Sequence, residues 1–162
     1  DFEPEKQYDL VLESESACYI QIQPGWKTAR KTIREGGYLL ASDYFLHHND
    51  GSGDWHIKAS HNEKVYMEIG EEYGFKLLRE YDQTENTMPT LDSAKAFMER
   101  YIYPTVEFSS NYMDKNYSFI MKILKKAFGK RVNEKMKQLS LLDSIEFRKY
   151  KRYMIFLFQK VS

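Results

Sequence analysis

The 162-residue chain predicts an α/β fold, a largely parallel sheet fed by amphipathic helices, and three successive stretches carry that prediction. In the first, Leu10, Val11 and Leu12 form a short apolar run of the kind a buried parallel strand needs. Glu13, Ser14, Glu15 and Ser16 then place polar groups at the strand's carboxyl end, where open α/β sheets hold their ligands. In the second, Trp26, Ala29 and Ile33 recur at helical spacing, and Gly36-Gly37 stop the helix where a left-handed residue is wanted. The third, Tyr38 to Phe45, runs back into the sheet with Asp43 near its carboxyl end.

Further along, Val65, Ile69 and Tyr73 share one helical face from Glu63 to Tyr73, closed by Gly74. Phe75 to Tyr81 follows as a strand. Near the carboxyl terminus, Met154 to Phe158 is apolar without alternation, which predicts a strand buried on both faces within Tyr150 to Lys160. Between these lies helical sequence. Thr90 can cap a helix carrying an apolar stripe of Leu91, Ala94, Phe97, Met98, Tyr101 and Ile102, ended by Pro104. A second helical stretch runs from about Tyr112 to Leu142, with Phe119, Ile120, Ile123, Leu124, Ala127 and Phe128 on one face and a break or bend at Gly129.

The order of these parts resembles the second half of a class I S-adenosylmethionine-dependent methyltransferase. The matching positions are Tyr8, Asp9, Leu10 to Leu12, Glu15-Ser16, Gly36-Gly37 and Asp43, followed by the passage EEYGFKLLREYDQTEN and the final strand YKRYMIFLFQK. The resemblance implies that Tyr8 begins the fourth strand of a Rossmann-like sheet and that the final strand inserts antiparallel. It divides the chain into a partial core, residues 1–89 and 144–162, and a helical lid insert, residues 90–143. The family's Gly-rich cofactor loop and the acidic residue ending its second strand have no counterpart here. A strand–helix unit takes roughly 30 residues, so the expectation is the carboxyl-terminal portion of a longer enzyme, inactive by itself.

By the same resemblance the donor is S-adenosylmethionine, with Glu15 and Ser16 near its methionine part, and the acceptor is a small organic molecule enclosed by the lid. Tyr19 stands where several relatives have a histidine facing the acceptor; it could orient the acceptor or simply pack. Asp43 ends a strand on the ligand side. All four histidines fall between positions 47 and 61. His47 or His48, just past the fifth strand, suits a general base by its unperturbed pKa of about 6.5. Asp50 and Asp54 beside them match no established ligand spacing, so no metal site is assigned. A polar, Gly-containing loop accounts for the same residues.

Composition bounds the rest. One cysteine, Cys18, excludes an internal disulfide and fits a reducing cytoplasm, and a packed thiol is its simplest role. No apolar run approaches the ~20 residues of a membrane span. Residues 1–113 hold 11 Lys and Arg against 20 Asp and Glu, a net −9, and residues 114–162 hold 13 against 4, a net +9. A nucleic-acid-binding module using Lys122, Lys125, Lys126, Lys130, Arg131, Lys135 and the Arg148 to Arg152 cluster is one reading of that asymmetry; a solvated helix face is the preferred one. A non-catalytic subunit that keeps the fold is another alternative. The expected partners are the small acceptor and either the missing amino-terminal half or a second copy covering the exposed sheet edge.

Overall fold

The apolar runs become the strands of one sheet. In the computed structural model, which describes residues 4–47, 61–139 and 143–161, these are β1 (Tyr8–Ser14), β2 (Ile33–Leu46), β3 (Phe75–Asp82) and β4 (Lys151–Lys160), in the order β1-β2-β4-β3. β1 and β2 are parallel, and β4 runs antiparallel to both β2 and β3, as expected of the final strand. His48, Asp50, Asp54 and His56 lie outside the described residues.

The chain divides into two compact units, Asp1–Thr87 with Arg148–Ser162, and Met88–Phe147. In the first, α1 (Ile22–Thr32) and α2 (Glu63–Glu72) pack on one face of the sheet. Trp26 of α1 is the centre of that packing. Its ring lies 4.9 Å from Tyr66, 5.1 Å from Phe75 and 4.9 Å from Phe158, and its Nε1–H donates to the Tyr66 carbonyl at 3.0 Å. The buried face of α2 centres on Tyr66 and Gly70, with Val65 and Ile69 at its margins. A side chain at Gly70 would lie 2.6 Å from the Trp26 ring, so the glycine is what lets the two helices close. Asn62 caps α2 by accepting from the Val65 N–H at 3.1 Å.

Four local expectations are corrected. Helix α1 ends at Thr32, and Ile33 is already extended, because its fully buried side chain belongs to the sheet core. Gly36-Gly37 therefore sit within β2, in a register shift against β1 between Tyr8 and Leu10. Gly36 does take a left-handed φ of +72°, and a side chain on Gly37 would lie 2.9 Å from the Arg34 carbonyl and 3.0 Å from that of Asp9. Leu10 and Leu12 are exposed by 47% and 63%, since among the described residues of this unit no helix covers their face of the sheet. Within the apolar run of β4, Met154, Phe156 and Phe158 are buried, while Ile155 and Leu157 on the other face are half-buried.

The helical unit also differs from its prediction. α3 (Thr84–Phe97) starts six residues before Thr90, with Asp82 accepting from the Thr84 N–H at 2.8 Å. Pro104 does not end a helix. A π-turn at Met98–Ile102 absorbs the irregularity, and Pro104 occupies the first turn of α4 (Tyr103–Asn116), where no backbone donor is needed. Helix α5 (Ser118–Leu139) passes through Gly129 unbroken. Before α6 (Ser144–Tyr150), Asp143 holds Lys95 at 2.6 Å. No helix of the described residues is long and apolar enough to cross a membrane.

Candidate functional site

The carboxyl ends of β1, β2 and β3 and the amino end of β4 meet at one rim of the sheet, as the pairings Ser14↔Ser42, Leu46↔Lys151 and Asp82↔Met154 require. Glu15 marks that rim. It has a left-handed φ of 53°, an uncommon state for a non-glycine residue, and its N–H is fastened to the Ser42 carbonyl at 2.9 Å. Its carboxylate accepts from the Tyr153 hydroxyl, which also lies 3.2 Å from the Ser42 hydroxyl. Burial, then the bond to Glu15, pushes the Tyr153 phenol above its ordinary value, so it stays a hydrogen-bond donor. Ser16 follows at the start of the short Ala17–Tyr19 turn, where its carbonyl accepts from the Tyr19 N–H at 3.1 Å.

Asp43 is fully buried. One carboxylate oxygen accepts from the Cys18 N–H at 2.9 Å and the other from the Tyr44 N–H at 2.8 Å, so it clamps the segment after β1 onto β2. Cys18 is within hydrogen-bond reach of the Tyr44 hydroxyl, and burial pushes both groups up, which keeps the thiol and the phenol protonated. Tyr19 is 83% exposed, with its hydroxyl near enough to Tyr44 to act on it electrostatically.

Behind this row, on the helix-covered face, the Tyr66 hydroxyl donates to Glu13 at 3.0 Å. Burial raises the Glu13 carboxyl; the bond from Tyr66 only partly offsets it. Glu13 and Tyr66 border a cavity of about 10 Å³, the room of about one water. His61 stacks on the Tyr66 ring at 6.2 Å and its Nε2 lies 2.6 Å from the Ile20 carbonyl.

His47 stands on the β3 side of the rim. Its Nε2 lies 3.2 Å from the Arg148 carbonyl. A carbonyl can only accept, so the proton of that bond sits on Nε2. His47 borders a cleft of about 440 Å³ with Tyr81, Asp82, Thr84, Glu85, Arg148, Lys151 and Arg152. The rim therefore gathers Glu15, Ser16, Tyr19 and Asp43 around β1 and β2, and places His47 in a separate cleft. Glu13 joins them from the polar end of β1 already noted in the sequence, and Tyr44, Lys151 and Tyr153 join without having been singled out there. The cross-strand pairing of Tyr44 with Tyr153 and of Leu46 with Lys151 brings those three to the rim, and the sequence carries no signal for it.

No protein-family model matches the sequence, and no curated protein sequence matches it either. Solved structures do match. A candidate sarcosine dimethylglycine methyltransferase from Galdieria sulphuraria superposes with a TM-score of 0.62 at 12% identity, over 95% of this chain and 53% of that one. The O-methyltransferase from a trans-AT PKS multienzyme of Brevibacillus brevis, in complex with S-adenosyl-L-homocysteine, gives 0.58 at 14% identity, over 98% of this chain and 46% of that one. The chain has the class I methyltransferase fold. It spans about half the length of these structures, and its four strands are a carboxyl-terminal part of that Rossmann-like sheet. The [4+2]-cyclase SpnF superposes as well, with a TM-score of 0.55 at 12% identity, over 97% of this chain and 51% of that one. The fold therefore does not by itself fix the reaction.

Proposed function

We propose that this chain is one half of an S-adenosylmethionine-dependent methyltransferase acting on a small organic acceptor. The observation that carries the reading is the rim: polar and titratable side chains converge at the carboxyl ends of β1 and β2, the ligand side of an open α/β sheet. Methyltransferase neighbours support it, among them one named for sarcosine and dimethylglycine and one in complex with S-adenosyl-L-homocysteine.

S-adenosylmethionine, when bound, supplies an electrophilic methyl group for in-line displacement. The described residues fit one wall of a site for it. Glu15 and Ser16 stand at the end of β1, and Glu15 is held in place by Tyr153. Gly25 packs against Ile20, Gly36 and Gly37 lie at the amino end of β2, and Gly70 lies under Trp26, so none of these four makes a backbone cradle at the rim. The remaining walls belong to a complementary half that covers the outer edge of β1 and the sheet face opposite α1 and α2. The chain's own part is to orient the acceptor and manage its proton. Tyr19 and Tyr44 offer hydroxyls near the Asp43 clamp, and His47 lines the neighbouring cleft. Within the Met88–Phe147 unit, Phe97, Tyr101, Phe108 and Phe119 supply exposed aromatic surface of the kind a lid for a small acceptor needs.

Isothermal titration calorimetry with S-adenosylmethionine tests this reading. The chain alone is expected to give weak heats, and the chain joined to or coexpressed with its complementary half to bind with one-to-one stoichiometry. A folded, completed protein that gives no heat of binding contradicts the proposal.

A further inference from the structure

Lys151 is the first residue of β4 and its side chain is only 3% exposed, yet it borders the open cleft beside His47. Its Nζ sits 4.5 Å from the centre of the Tyr44 ring, a cation–π arrangement. Among the described residues no carboxylate lies within ion-pair distance of that ammonium, and no acceptor takes a hydrogen bond from it. Asp43 and Cys18 act on it only electrostatically, and both Asp43 oxygens are engaged by backbone N–H groups. Burial outweighs them and pushes the Lys151 amine down to about 8. A buried ammonium without an anion is a costly arrangement, because desolvation is not repaid by a partner charge.

The other charges of the cleft are matched. Arg148 makes a two-pronged pair with Glu85, at 2.8 Å and 2.7 Å. Arg152 faces two acids, Asp82 and Glu63. The Asp82 carboxyl is held below its usual range against the effect of burial, by its bonds with Thr84 and by Arg152 and His47. Of the cations that line the cleft, Arg148 and Arg152 face carboxylates, and Lys151 is the one with no carboxylate at ion-pair distance among the described residues.

We propose that the cleft is an oxyanion-binding site in which Lys151 holds a carboxylate or phosphate group of a small molecule. Arg152 and Arg148 flank the site and His47 closes its β2 side. The inference rests on the methyl-transfer reading only in making that molecule the acceptor, which it narrows to anionic compounds; the oxyanion site itself stands on the charge balance of the cleft.

The test is titration of the chain with inorganic phosphate and, separately, with acetate at matched ionic strength. The Lys151 Cε–Hε resonances are followed by NMR, assigned with Lys151→Met. Saturable shifts of those resonances are expected, with affinity at least tenfold weaker in Lys151→Met. The same variant is expected to keep or raise the melting temperature, since it removes a desolvated charge. Response to both ions supports the site and marks it as a general oxyanion site; response to phosphate alone supports it and marks a phosphate ester. Absence of a saturable Lys151 shift with either ion overturns the proposal, and so does Lys151→Met binding within twofold of wild type. Calorimetry with S-adenosylmethionine reads the methyl-transfer reading separately, so either can fail without the other.

Discussion

The two faces of the sheet are built from similar side chains and treated differently. On one, Leu39, Ala41, Phe45, Met154, Phe156 and Phe158 are sealed beneath α1 and α2. On the other, Leu10, Leu12, Leu40, Ile155 and Leu157 are exposed or half-buried, with no helix over them among the described residues of the same unit. A strand meant for water on one side alternates apolar and polar residues; β1 and β4 do not. The bare face therefore has the composition of an interior and the exposure of a surface. The covered face stabilises this unit, and the bare face is where the complementary half is proposed to sit.

The sharpest contrast between the faces is energetic. Trp26→Ala removes the ring that touches Tyr66, Phe75 and Phe158, and is expected to cost about 3–5 kcal/mol in denaturant unfolding. Leu157→Ala, on the bare face of the same sheet, is expected to cost about 1 kcal/mol or less, since little buried area is lost. Equal losses would erase the distinction.

Asp43 sharpens the picture at the rim. Asp43→Asn keeps the shape but leaves an amide facing a backbone N–H, so that one of the two clamping bonds is lost. A loss of about 2 kcal/mol is expected, together with faster amide exchange at Cys18 or Tyr44. Unchanged stability and exchange would mean that Asp43 is not a clamp.

The smallest effect concerns Glu13, a carboxyl buried on the covered side. Its folded-state pKa is raised, chiefly by burial, so the folded state holds this proton more tightly than the unfolded state. The contribution is fully present below the unfolded value of about 4.5 and is lost as pH rises through the raised folded value. Glu13→Gln is expected to remove that decline, so the variant gains on wild type as pH rises from 4 to 7. Parallel stability–pH curves would mean that Glu13 is solvated.

Much of the sheet was legible in the sequence, because apolar runs of strand length flanked by Gly and acidic residues leave few alternatives. The Leu10–Leu12 run and the Met154–Phe158 run read correctly as strands and incorrectly as fully buried. Apolar sequence reports the cover a strand is suited to, and the described helices of this unit supply cover on one side only. The helix ends were less legible. Pro104 was compatible with stopping one helix or starting the next, and the π-turn before it has no sequence signature. At the site, Glu15, Ser16 and Asp43 could be placed from their position at strand ends. Lys151 could not: within Tyr150-Lys151-Arg152 it reads as one of several solvated cations, and the alternation of β4 sets it on the half-buried face with Tyr153 and Ile155, where its ammonium lies over the Tyr44 ring of the neighbouring strand. Tyr153 and Tyr44 were hidden likewise, each being placed by cross-strand pairing with the other.

Amide hydrogen exchange across the sheet tests the central contrast most directly. β1 is bonded on one side only, to β2, whereas β4 is bonded on both sides. In the chain alone, the amides of Tyr8 to Ser14 are expected to exchange at least tenfold faster than those of Met154 to Phe158, and to slow when the complementary half is present. Protection of β1 equal to that of β4 in the dilute chain alone would contradict the account, because the edge would then already be covered.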